Sequence, residues 1–364
     1  MGRRNESHLK RIHTLDGWRA LAILMVTINH AAESIWGNRP DILDLTRSGS
    51  VGVDVFFALS GILITKLLLD ENERTGRINL KAFYIRRSFR VVLPCYGYLA
   101  VIALFSVLHT KLEFLSGIFF FRNYLNPGDG SFYTAHLWSL AVEEHFYLLW
   151  PIVLVAVTVK YGQQVAMWGT VACGLWRLIS YHYFPTLFGN VIELWRTDYR
   201  LDSLLWGCAF GFVLHRAESL KRVLPLIVIY VASVGFNSPT NRLLLPILLP
   251  LFIVVTATHS HWVLSRLLDS APMKWIGKIS YSLYVWQMVF LVQTTHSELW
   301  WQRFPFNIIM AFLTATLSNY FVEIPLQRIG HRLAERVMSM NKETPHVLFP
   351  STPGDQFRCE YLEP

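Results

Sequence analysis

The chain of 364 residues is 53% hydrophobic and only 16% charged, with a mean hydropathy of +0.34. Soluble domains carry about 25% charged residues, so the composition excludes an ordinary soluble globule and indicates an integral membrane protein. A net charge of +8 would suit nucleic acid, but the basic residues gather in alternate loops between apolar runs, which is a footprint of membrane topology instead.

Ten apolar runs are long enough to cross a bilayer, at about 18–36, 52–69, 91–109, 137–159, 164–184, 199–214, 223–236, 243–258, 275–294 and 304–322. Charge parity checks this count. With the N-terminus inside, the even loops carry Arg74, Arg77, Lys81, Arg86, Arg87 and Arg90, then only Lys160, then Arg216, Lys221 and Arg222, then Arg266, Lys274 and Lys278. Arg328, Arg332 and Arg336 follow the last span, so the positive-inside rule predicts both termini in the cytoplasm. A weaker apolar patch at 112–121 must then be re-entrant or surface-lying, because an extra crossing would invert everything after it. The predicted fold is all-α and polytopic, with a membrane domain over residues 1–340 and a polar, disordered cytoplasmic tail over 341–364.

Other readings are weaker. Arg3, Arg4, Lys10 and Arg11 before the first apolar run imitate a signal peptide, but that run carries Asn29 and His30 and is followed by many more spans. No internal repeat suggests the paired halves of a secondary transporter. Cys95, Cys173, Cys208 and Cys359 include no CxxC pair, so neither a disulfide framework nor a metal site is expected.

Three features carry candidate chemistry. The first is LDGWRALAILMVTINH, in which Arg19 and His30 are separated by roughly 16 Å on a continuous helix. That places His30 near mid-membrane, where a neutral imidazole is either a buried structural group or a general base. The second is the pair Glu143 and Glu144 in HLWSLAVEEHFYLLWP. Carboxylates inside a span are functional by default, and one of them would orient the His30 ring; a packing pair with an arginine is the alternative. Helical spacing puts His136, Tyr147 and Trp150 on the face of Glu143. Third, Lys81, Arg86, Arg87 and Arg90 stand at the inner mouth of the third span, either as an anchor for anionic lipid or as a polyphosphate site that Arg19 would join. Asp54, Trp138 and Ser139 are acceptor-side candidates, and Asp16 reads as a helix cap.

Together these blocks, with GVDVFFALSGILI, RRSFRVVLP, YRLDSLLWG, GKISYSLYVWQ and FVEIPLQR, resemble the acyltransferase-3 family of integral membrane O-acyltransferases over roughly residues 12–330. The resemblance implies transfer of an acyl group, most simply acetyl, from cytosolic acyl-CoA to a hydroxyl of a glycan or glycosylated small molecule, at a bacterial inner membrane. It makes His30 the catalytic histidine, Arg19 its motif partner, and Arg87 and Arg90 the Arg-x-x-Arg element that holds CoA phosphates. One position departs from the family: its closing block often carries a histidine where this chain has Gln287, so the resemblance assigns Gln287 no catalytic part. The rival reading is a proton-coupled transporter with His30 and a glutamate as its relay. A catalytically silent scaffold is a third.

Overall fold

The computed structural model describes residues 13–36, 48–105, 110–126, 130–183, 195–214, 239–259, 261–292 and 299–343. The expected span at 223–236 and the tail beyond residue 343 lie outside them. Among the described residues every regular element is helical. Among the described residues four stretches are long and apolar enough to cross a membrane by length and composition: Gly49–Thr75, Leu80–Leu104, Phe132–Ala156 and Phe306–Met340.

In chain order, α1 runs His13–Trp36, α2 Ser48–Thr75, α3 Leu80–Leu104, α4 Lys111–Ile118 and α5 Phe132–Ala156. Then come α6 Thr158–Tyr183, α7 Thr197–Val213, α8 Pro239–Thr258, α9 Val263–Leu268 and α10 Ala271–Phe290. Helix α11, Phe306–Ser318, passes through a π turn at Asn319–Glu323 into α12, Ile324–Glu343. A second π turn, Ser88–Val92, lies inside α3 and carries Arg90. Such turns insert an extra residue and often mark functional positions.

Small residues set the helix spacing. A Cβ on Gly277 of α10 would lie 2.0 Å from the Asp16 carbonyl oxygen, so only glycine lets α10 touch the α1 backbone. These two helices run parallel, since Thr27 donates to Gln287 at 2.9 Å and Ser34 to the Val292 carbonyl at 2.6 Å. Helices α2 and α7 repeat the device: a Cβ on Gly61 would stand 2.1 Å from Leu204 O, and one on Gly207 2.4 Å from Ala58 O. Close backbone approach of this kind drives helix association in lipid, where burial of apolar surface offers no advantage. Helix α2 runs antiparallel to α1, with Gly49 against Asn29 and Gly52 against Ala22. Between these pairs lies a core that includes Phe57, Phe146, Trp150 and Leu204. Large apolar side chains such as Leu149, Ile152, Trp168, Val171, Ile309 and Phe321 face outward, as a lipid-facing surface requires.

One expectation changes in detail, and another, that the patch at 112–121 does not cross, agrees with the short helix found there. Helix α1 begins at His13, so Asp16 sits within its first turn and pairs with Arg19 at 3.5 Å instead of capping the helix. A carboxylate there still complements the positive end of the helix dipole. The patch at 112–121 contains α4, whose eight residues extend only about 12 Å and cannot cross. It belongs to a cap built on a fully buried Glu113, which accepts from Ser131 N at 2.8 Å, Thr134 Oγ1 at 2.5 Å and the Ser131 hydroxyl. The buried Arg122 guanidinium stands beside the same carboxylate at Gly130, where a Cβ would meet both.

Candidate active site

The sequence-selected residues fall into two layers, one toward each end of the bundle. The arginine layer forms where the N-terminal half of α1, the π turn of α3 and the middle of α5 converge. Arg19, Arg87 and Arg90 lie within electrostatic range of one another, together with Glu143 and Tyr147. Arg87 lays its guanidinium over the Tyr147 ring, 3.3 Å from the centroid. Tyr147 donates to Glu143 Oε2 at 2.9 Å, and Ser60 donates to Oε1 at 2.9 Å while sharing a 2.7 Å bond with the Tyr147 hydroxyl. The second carboxylate, Glu144, has Arg87 and Glu143 as its charged neighbours and leaves one oxygen without a hydrogen bond; Arg87 Nε is likewise unpaired. Arg90 is exposed, and the Arg19 side chain retains a quarter of its exposure, so the cluster is reachable from the end of the bundle. Arg86 is elsewhere. It points to Glu71, with a 2.9 Å ion pair that ties α3 to the end of α2.

The histidine layer is a cleft of about 130 Å³ lined by Val26, Asn29, His30, Gly49, Ser50, Val53, His136, Trp138 and Tyr284. His30 comes from α1, and His136 from the break between the first turn of α5 and its long body, Leu137–Ala156. His136 is buried and packed at ring distances of 5.8 Å from Tyr98 and 5.3 Å from Tyr284. Neither of its ring nitrogens has a hydrogen bond, although the Val285 backbone is close by. Tyr284 donates to the His136 carbonyl at 2.6 Å and shares a 2.5 Å bond with Ser139, so Ser139 acts within the wall and does not line the cleft. Trp138 does line it and stacks on Trp195 with centroids 5.8 Å apart and planes 8° from parallel. Asp54 is held by Arg200 at 2.6 Å, and that guanidinium lies over Phe57 and Trp138.

The expected contact between a glutamate and His30 is not made. Glu143 lies seven residues beyond His136, about 10 Å along α5, and its hydrogen bonds go to Ser60 and Tyr147. The helical period brings His136 to the level of His30 and carries the carboxylates down to the arginines. The group beside the His30 ring is Gln287 of α10. Both His136 and Gln287 therefore join the site without a role from sequence reasoning. In sequence, His136 only shares a helical face with Glu143, and Gln287 is only a departure from the family pattern.

The chain is similar to known transferases. A peptidoglycan O-acetyltransferase of Listeria monocytogenes is 29% identical over 365 residues, covering 88% of this chain and 56% of the relative. A Staphylococcus aureus protein provisionally named an O-acetyltransferase is 31% identical over 366 residues, covering 88% and 58%. An O-acetyltransferase of Staphylococcus aureus is 27% identical over 360 residues, covering 87% and 57%. The chain thus spans less than three fifths of the length of these relatives. No solved structure matches it. The family model of the acyltransferase-3 acyltransferase domain matches residues 12–323, nearly the whole helical bundle. This chain belongs to the acyltransferase-3 family.

Proposed function

We propose that this chain is a membrane O-acyltransferase that moves an acetyl group from acetyl-CoA on the cytoplasmic side to a hydroxyl of a glycan or glycosylated small molecule. The observation that carries the reading is the two-layer site: an accessible guanidinium cluster at one end of the bundle and a cleft with two imidazoles at the other, joined by α1. Similarity to O-acetyltransferases, one of them named for peptidoglycan, supports both the acetyl group and a carbohydrate acceptor. We assign ten spans with both termini in the cytoplasm of a bacterial inner membrane. The parallel pairings α1–α10 and α2–α7 and the antiparallel α1–α2 accord with that count.

In this mechanism Arg19, Arg87 and Arg90 bind the phosphates of CoA through charge-assisted hydrogen bonds. The thioester then points along the bundle toward the cleft. His30 takes the proton of the acceptor hydroxyl as its oxygen attacks the thioester carbonyl. The tetrahedral oxyanion collapses with rupture of the C–S bond, and the CoA thiolate leaves with the proton returned by His30. Neutral His136 lines the same cleft, and its N–H is suited to polarise the carbonyl oxygen. The stacked Trp138–Trp195 pair offers a flat apolar face for a sugar ring.

The test is CoA release from acetyl-CoA by detergent-purified protein, with and without soluble glycan acceptors. The reading requires release that is lost in His30→Ala and an acetylated acceptor. Acetyl-CoA that binds nowhere on folded protein, or an acceptor transported without CoA release, would replace it with the transporter.

A further inference from the structure

Resting on that reading, we infer that Gln287 is the positioning residue for His30, filling with a neutral amide the place that a carboxylate holds in a catalytic triad. Four observations carry it. Gln287 is fully buried on α10, with its side chain beside the His30 ring. Its amide is bonded to Thr27 Oγ1 at 2.9 Å, one turn before His30 on α1. Gln287 Nε2 makes no hydrogen bond, and neither does His30 Nδ1, so each of these neighbouring side chains leaves one buried polar atom over. Finally, the nearest rivals are engaged: Glu143 with Ser60 and Tyr147, and Glu33 with Asn29 at 2.6 Å.

A rotation of the amide by 180° resolves both leftovers at once, since oxygen and nitrogen of a glutamine occupy equivalent positions. Nε2 then donates to Thr27 Oγ1, and the Thr27 hydroxyl turns to a carbonyl of its own helix, an ordinary arrangement for a helical threonine. Oε1 accepts from His30 Nδ1–H. That bond selects the tautomer with a lone pair on Nε2, the form a general base needs. An amide supplies this orientation without a charge, so it adds no countercharge to an imidazolium. His30 is then held in one orientation as a neutral base. The other titratable groups lining the cleft are His136 and Tyr284 of α10, while Glu33, on the next turn of α1, is bonded to Asn29.

The experiment compares CoA release and its pH profile in wild type, Gln287→Ala, Gln287→Glu and His30→Ala, each first shown to be folded by size-exclusion and melting in detergent. Gln287→Ala should lower kcat about 10-fold or more, with KM for acetyl-CoA unchanged. Gln287→Glu should restore orientation and move the acidic limb of kcat/KM upward by about one pH unit, because a carboxylate favours the imidazolium. A residue that only packs α10 on α1 would not move that limb. If Gln287→Ala is poorly folded, Gln287→Glu alone decides. A pH profile for Gln287→Glu that superimposes on wild type, with His30→Ala inactive, overturns this inference and leaves the transferase reading intact. Equal turnover in wild type and His30→Ala overturns both.

Discussion

The two ends of the bundle are built on opposite electrostatic plans. At the arginine end, charge is stored by mutual neutralisation: Arg19 with Asp16, Arg87 over Tyr147, and Glu143 bonded by two hydroxyls. What remains over there is ionic, an unpaired Arg87 Nε and a Glu144 oxygen. At the histidine end the polar side chains lining the cleft are two imidazoles, a phenol, an indole, an amide and a hydroxyl, and the leftovers are nitrogens of His30, His136 and Gln287. Fixed charge deep in a membrane is tolerated only when paired or close to water, whereas neutral polar groups can wait for a substrate at smaller cost. Phosphate binding therefore suits one end and proton transfer the other.

Four substitutions would break or sharpen that contrast. The largest effect is expected for His30→Ala, a loss of about 100-fold to 10,000-fold in CoA release without loss of acetyl-CoA binding, read by turnover and by equilibrium binding on the same sample. His136→Phe keeps an aromatic ring and removes the N–H. It should lower kcat by about 100-fold with KM for acetyl-CoA unchanged, measured in the same assay; equal loss of both parameters would shift His136 to a role in binding. At the other end the pattern inverts. Arg87→Ala should raise KM for acetyl-CoA by about 10-fold to 100-fold with little change in kcat, the signature of lost uniform binding to a phosphate.

The smallest functional effect belongs to Arg86→Ala, one residue away. Arg86 is committed to a largely buried Glu71 at 2.9 Å, so its removal should cost stability, about 1–3 kcal/mol, with kinetics untouched. A lowered Tm at wild-type KM would separate the two adjacent arginines. A raised KM would put Arg86 back among the phosphate ligands.

Composition and apolar run length determined the class: a helical membrane protein follows from hydrophobic fraction and periodicity, because lipid leaves the backbone few alternatives to a helix. The run boundaries at 199–214 and 243–258 lie within a few residues of those of α7 and α8. The third apolar run, from about 91, starts eleven residues after its helix does. Helix α3 begins at Leu80 because the Arg86–Glu71 pair and the Asn79 cap, which accepts from Ala82 N at 3.0 Å, extend the helix through a polar stretch that hydropathy discounts. His30, Arg19, Arg87 and Glu143 were legible as polar groups in the wrong solvent, a property of each residue and its neighbours in sequence.

Only the tertiary structure decided which of these residues meet. One of Glu143 and Glu144 is expected at His30, but about two turns of α5 separate the pair from the cleft, and His136 lines it in their place. Gln287, 257 residues beyond His30, reaches the ring because Gly277 lets α10 lie on the backbone of α1, so a glycine ten residues away sets the contact. Helical period reports the face of one helix. The register between two helices is set by packing of small residues across their interface, which no single stretch of sequence contains.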